Sequence, residues 1–219
     1  MKRLISLTIL VACLEIAGCS KERNQPKIIG SGVAKTETRP VESFAKVQFF
    51  GEGRVELSVG PLEPITLTAD DNILPLMMTV VAGDTLTIRP SEESIKPKTP
   101  LVVRAAAPHI TSVECVGSGD IVVRDLAAES VGLSVVGAGS VNAAGKTTSI
   151  TVSIQGAGAV DTSQLEAERV SVGIAGAGSA DVNATKNLDV DIMGAATVRY
   201  AGDPVVAKKV VGIGTVQRK

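Results

Sequence analysis

Hydrophobic positions in the second half of the chain recur with two periods at once. Apolar residues alternate with small or polar ones over short runs. The runs return about every 19 residues, and each closes on Gly-x-Gly or a near variant. The motif starts at Gly117, Gly137, Gly156, Gly176, Gly194 and Gly212, with Ala196 in place of the second glycine of the fifth copy. Two positions before the first glycine stand Cys115, Val135, Ile154, Ile174, Ile192 and Val210. Four before stand Val113, Leu133, Val152, Val172, Val190 and Lys208; six before stand Thr111, Val131, Ile150, Val170, Leu188 and Val206. Four after stand Ile121, Val141, Val160, Ala180, Val198 and Val216. Of these 24 positions 22 are apolar, in a chain that is 44% hydrophobic.

A period of two is strand phase, so these positions face one side and the small or polar residues between them face the other. Glycine at one fixed place in every unit predicts a sharp corner between strands. A two-strand unit of this length, stacked on near copies of itself, is the coil of a single-stranded parallel β-helix. Stacking at roughly 4.8 Å per coil turns like positions into continuous aliphatic columns. A β-sandwich would alternate too, but without a glycine corner fixed in each unit. Parallel crossovers are overwhelmingly right-handed, so a right-handed helix is expected. Aromatics are few, with one Tyr, three Phe and no Trp. A narrow coil predicts that, since rings in register have no room. Lys208 interrupts an inward column, and Arg218 and Lys219 end the chain. Residues 206–219 therefore form the terminal coil, and charge at an open sheet edge discourages further pairing.

The first half follows a looser version of the same grammar. Val47, Phe49, Gly51, Gly53, Val55 and Leu57 repeat the strand–corner–strand order. Residues 64–69 and 84–88 alternate as strands, Asp70-Asp71-Asn72 is a polar turn, and another strand starts at Leu101. Residues 90–100 hold three prolines and four charges, which predicts a protruding loop. Nothing suggests a second core, so residues 28–219 form one β-helical domain.

The N-terminus is an address. Met1-Lys2-Arg3 precedes an apolar run, Leu4–Leu14, too short to span a bilayer and suited to a secretory signal. Ile16-Ala17-Gly18-Cys19 resembles a bacterial lipobox, which implies a lipoprotein signal peptide over 1–18 and lipidation of Cys19. Leu10-Val11-Ala12-Cys13 fits the pattern more loosely, leaving Cys13 as the alternative. Residues 19–27 form the lipidated Cys and a polar tether. Ser20 after Cys19 favours the outer membrane by the same resemblance. Only Cys115 remains in the folded part, so no internal disulfide forms.

Charge narrows the partners. Losing Lys2, Arg3 and Glu15 leaves 20 basic and 22 acidic residues, so there is no basic footprint for nucleic acid, and the membrane is reached through the lipid. The single His109, beside Pro108, excludes sites needing two imidazoles and stands in a turn. No metal and no cofactor is expected. Gly145-Lys146-Thr147 matches the end of a phosphate loop, but Ser140 replaces the required glycine and no helix follows. Gly-rich segments ending in Asp161 and Asp181 have the wrong spacing for calcium repeats.

Two sets of outward residues are candidates. Ser112, Ser134, Thr151, Ser153 and Ser171, with Gly132 and Gly173, make a flat small-residue face suited to close contact with an extended surface. Asn142, Asp161, Asp181 and Arg199 share one outward column. Neighbouring coils would put the two carboxylates about 5 Å apart, near the spacing of retaining glycosidases. A solvated outer face accounts for either set without a ligand. Cys115, in an aliphatic column, is a buried small hydrophobe rather than a reactive thiol.

One order of motifs points to a family. Gly30-Ser31-Gly32 comes before Arg39-Pro40-Val41 and Phe44, then Ala69-Asp70-Asp71-Asn72-Ile73-Leu74 and Gly83-Asp84-Thr85-Leu86-Thr87-Ile88. The Gly-x-Gly series follows, with Val198-Arg199-Tyr200-Ala201-Gly202-Asp203-Pro204 near its end. This resembles the head GIN domain family of "putative auto-transporter adhesins", in a bacterial lipoprotein form. The resemblance covers nearly the whole mature chain and implies a β-helical envelope protein with no catalytic residues to carry over. The expected function is binding or adhesion through a rigid repetitive face, with a polysaccharide or an envelope or matrix protein as partner. A self-associating scaffold, with homo-oligomer contacts, is the alternative. A polysaccharide-cleaving enzyme using Asp161 and Asp181 is the remaining one.

Overall fold

Glycine corners fall directly above one another in the computed structural model, which describes residues 28–92 and 95–219. Gly51, Gly117, Gly137, Gly156, Gly176, Gly194 and Gly212 pair in register from coil to coil. Their φ angles lie between 113° and 133°, a region that glycine enters freely and side chains do not. A Cβ built on Gly137 would sit 2.5 Å from the Gly117 carbonyl oxygen, so the stacking itself also requires glycine.

The strands are β1 (Ile28–Ile29), β2 (Ala34–Arg39), β3 (Lys46–Gly51), β4 (Arg54–Val59), β5 (Glu63–Asp70) and β6 (Met77–Ala82). They continue as β7 (Thr85–Pro90), β8 (Ile95–Lys96), β9 (Val102–Ala107) and β10 (Ser112–Gly117). The repeat region comprises β11 (Asp120–Gly137), β12 (Ser140–Gly156), β13 (Ala159–Gly176), β14 (Ser179–Gly194), β15 (Thr197–Ala201), β16 (Val205–Gly212) and β17 (Thr215–Arg218). From β11 to β14 each strand runs from one glycine corner to the next. The second bend of the coil is a register shift inside the strand, as between Val123 and Leu126, where Asp125 takes φ 56°.

All the stacking from β10 to β17 is parallel, which makes the protein a β-solenoid of the predicted class. The N-terminal end departs from pure parallel winding. There β6 pairs antiparallel with β7, β5 with β9, and β2 with β5. Stack order also departs from chain order. β3 lies between β7 and β10, and β4 lies between β9 and β11. The chain lays down the β3–β4 coil, runs outward to build the cap, then returns to continue on the other side of that coil. Antiparallel strands folded over the end cover edges that a parallel coil would leave open.

The inward columns form one continuous core from Phe44 to Val198. The expectation that rings have no place inside needs correction. Phe49 is fully buried in the column shared by Ile88 and Cys115. The ring fits because Cys115 is small and Gly119 has no side chain: a Cβ there would lie 2.8 Å from a ring carbon of Phe49. Residues 90–100 are likewise more than a protruding loop. Ile95–Lys96 pairs with Ile28–Ile29, and the backbone of Lys98 and Thr99 binds a buried carboxylate.

Candidate functional site

The small-residue face lies on the sheet before the corner. Ser112, Gly132, Thr151 and Ser171 are consecutive partners in one column, and Ser134, Ser153 and Gly173 in the next. Alternation turns them outward while Val113, Leu133, Val152 and Val172 are buried behind them. The face is bounded at the cap end by Glu114, whose carboxylate accepts a 2.8 Å hydrogen bond from Gln48 Nε2. At the other end Asp189 and Asp191 pair in register with Ala207 and Lys209. A shallow trough of about 360 Å³ crosses there, between Ser171, Gly173, Asp189, Asp191, Lys208 and Lys209.

The polar column lies on the sheet after the corner. Asn142, Asp161, Asp181 and Arg199 are consecutive register partners. Their side chains do different things. Asp161 Oδ1 accepts the Ser163 amide at 2.9 Å. Asp181 is nearly buried, with Arg199 Nη2 2.6 Å from Oδ2 and Lys219 Nζ 2.8 Å from Oδ1. The Lys219 ammonium is the cation facing Oδ1. Burial pushes the Asp181 carboxyl up, but Arg199 and Lys219 outweigh it and hold it below the usual range. Asp181 in turn raises the Arg199 guanidinium. The two carboxylates share a column but hold different partners, and Asp181 ties the last coils together through Arg199 and Lys219.

Stack order extends this column beyond what spacing revealed. Val122 precedes Asn142, Glu56 precedes Val122, and Arg104 precedes Glu56. Glu56 accepts from Arg54 Nε at 3.0 Å and from Arg104 Nε at 2.8 Å. Burial works against ionisation of Glu56, yet the two guanidinium groups bring its carboxyl below the usual range. Beside this network a groove of about 330 Å³ opens, with Ser58, Glu63, Thr66 and Arg124 on its walls. Sequence spacing offered no route to it, because residues 56, 104 and 124 meet only through the out-of-order coil.

The Asp70-Asp71-Asn72 turn is a knot rather than a solvated bend. Asp70 is fully buried and accepts from the amides of Gly32 at 2.7 Å, Lys98 at 2.8 Å and Thr99 at 3.0 Å, and from the Thr99 hydroxyl at 3.0 Å. Burial raises its pKa, and these four donors outweigh the effect and lower it. Asp71 takes the Ser31 hydroxyl, and Asn72 binds both the Ser31 amide and the Ile29 carbonyl. The Gly30-Ser31-Gly32 segment is thereby fastened to the cap; a side chain on Gly30 would collide with the Asp70 carboxylate. Near it an apolar cleft of about 300 Å³ lies between Phe50, Ile73, Met77, Pro90, Ile95 and Leu101.

Cys115 is fully buried; burial pushes its thiol to about 11, and Sγ donates to the Gly119 carbonyl. His109 is exposed, just after the bend at Pro108. Lys146 of the Gly-Lys-Thr segment lies on strand β12 and pairs with Glu166 at 3.1 Å. Among the described residues no group of three His, Cys, Asp or Glu is placed to hold a metal. The signal peptide, Cys13, Cys19 and the tether lie outside the described residues.

The solenoid is similar to several solved structures. A "putative adhesin" from Bacteroides fragilis superposes with a TM-score of 0.71 at 19% identity, covering 88% of this chain and 100% of that one. A "putative lipid binding protein" from Parabacteroides distasonis gives 0.61 at 19% identity, covering 88% and 99%. A "putative adhesin" from Parabacteroides merdae gives 0.57 at 20% identity, again covering 88% and 99%. At these identities the likeness is one of fold. No curated protein matches the chain. The sequence model "Putative auto-transporter adhesin, head GIN domain" matches residues 43–204, from β3 through β15, and the chain belongs to that family.

Proposed function

We propose that this protein is a lipid-anchored binding module of the bacterial envelope, held through Cys19, that grips an extended partner on its rigid sheet face. The observation that carries the reading is the register of Ser112, Gly132, Thr151 and Ser171 beside Ser134, Ser153 and Gly173. Small side chains repeated at strand spacing leave a flat surface that a polymer can approach closely along several coils. A stacked solenoid supplies such a surface already ordered, so little entropy is lost on binding. Surface complementarity does the work, without bond chemistry. The clamping of Asp181 by Arg199 and Lys219 speaks against a paired-carboxylate enzyme.

The test is retention of residues 20–219 on polysaccharides, peptidoglycan and matrix proteins, with released sugar ends measured in the same wells. Saturable retention without cleavage is expected. Cleavage would replace this reading with the enzyme, and loss of both signals would favour the self-associating scaffold.

A second reading is favoured by the apolar cleft between Phe50, Met77, Ile95 and Leu101, which has the character of a site for one acyl chain. Immobilisation of a spin-labelled palmitate in its electron paramagnetic resonance spectrum, lost in Met77→Glu, would support it.

A further inference from the structure

We propose that the groove flanked by Arg104 and Arg124 binds carboxylate groups of an acidic polysaccharide, a chain containing uronic acid units. The proposal rests on the binding-module reading above and names a ligand class and a second contact for it. The groove of about 330 Å³ has Arg104, Arg124, Glu56, Glu63, Ser58 and Thr66 on its walls and the buried Ala105 and Ala106 beneath them.

The guanidinium groups carry the argument. Both hydrogen bonds to Glu56 come from Nε atoms, of Arg54 and of Arg104. That leaves the terminal nitrogens of each, the planar edge that matches a carboxylate in bidentate fashion, free of that partner. Arg124 stands one column over, register-paired with Ser58, exposed, and without an ion pair among the described residues. In the lining Glu56 and Glu63 balance Arg104 and Arg124, and Arg54 stands beside it on Glu56, so selection falls to the guanidinium edges rather than to net charge. That balance suits carboxylates spaced along a polymer better than a densely charged anion. The Ser58 and Thr66 hydroxyls can exchange hydrogen bonds with the hydroxyls of a sugar ring. Beyond the groove the same column continues through Val122 to Asn142, in line with a linear chain.

The experiment uses the full chain in non-ionic detergent and affinity electrophoresis through gels holding polygalacturonate, its methyl ester or neutral dextran. Polygalacturonate should retard the protein, and the methyl ester should do so about tenfold less, because esterification removes the charge that the forks read. Arg124→Gln, at an exposed side chain, should weaken retention by a similar factor of about ten, and Arg124→Lys should restore only part of it. Lys186→Gln, at an exposed lysine elsewhere that pairs with Glu168, should leave it unchanged. Equal retention by acid and ester, or full retention by Arg124→Gln, would overturn the proposal. Retention by neutral dextran alone would overturn it while leaving the binding module intact. Retention by no polymer, here or on the panel above, would overturn both.

Discussion

Phe49 and Cys115 are register partners in one inward column, both fully buried, and the small thiol is what leaves room for the ring. Gly119 and Gly139 complete the accommodation: a Cβ on Gly139 would lie 2.7 Å from the Cys115 sulfur. Cys115→Leu should therefore overpack the first coils and cost about 1–3 kcal/mol, measured by urea unfolding. The native thiol should react with a disulfide reagent only at the rate of unfolding, since burial holds it protonated to about 11. Fast labelling of the folded protein, or an unchanged midpoint in the leucine variant, would contradict this packing account.

Glycine has two separate uses in this repeat, and a pair of substitutions separates them. Gly137 has φ 117° and abuts the Gly117 carbonyl, whereas Gly132 faces outward with nothing nearer than 3.8 Å to its missing Cβ. Gly137→Ala should cost about 2–4 kcal/mol, through a strained backbone and a displaced neighbouring coil. Gly132→Ala should lie within about 0.5 kcal/mol of the parent. Comparable losses at both positions would mean that the corner is not special.

The repeat region was legible because each coil restates the same inward columns and corner, so six glycine motifs align in sequence as their residues align in space. The cap was not. Its strands can be found singly from alternation, but their partners are antiparallel and distant, and a strand does not state its neighbour. The polar column stopped short for the same reason. Asn142 to Arg199 follow one another at coil spacing, whereas Glu56 and Arg104 join only because β9 stacks on β4 from outside the chain order. Asp70 resembled any turn aspartate; its burial depends on amides from residues 32, 98 and 99, which no local pattern announces.

Asp70 should make the cap acid-sensitive. Its carboxyl is lowered in the folded state relative to about 3.9 in an unfolded chain. Its contribution is therefore complete above that unfolded value and is lost as pH falls through the folded one. Asp70→Asn places an amide donor among three backbone N–H groups and a hydroxyl, and should lower Tm at neutral pH by about 5–10 °C. Below pH about 4 the variant should lose stability less steeply than the parent, because the titrating group is gone. Parallel Tm–pH curves for the two proteins would exclude Asp70 as the source.

Lys208 sets a charge against further stacking on the β16–β17 coil. It occupies the inward column after Val190, between Val206 and Val210 of β16, a strand that among the described residues pairs only with β14. The last coil thus offers open backbone edges and partly exposed valines, with Val210 38% exposed. Every earlier coil is covered by the next through the same kind of surface, so this end is competent to stack. A partner pairing there would have to strip water from the Lys208 ammonium, at a cost of several kcal/mol with no carboxylate in the column to offset it. Lys208→Val removes that obstacle and should shift the protein toward end-to-end dimers or longer stacks, read by sedimentation over a concentration series. Lys209→Val is the control, because Lys209 faces outward beside Asp191 and its loss leaves the inward column charged. If Lys208→Val sediments like the parent while Lys209→Val associates, the outward charge pattern rather than the inward lysine guards the end.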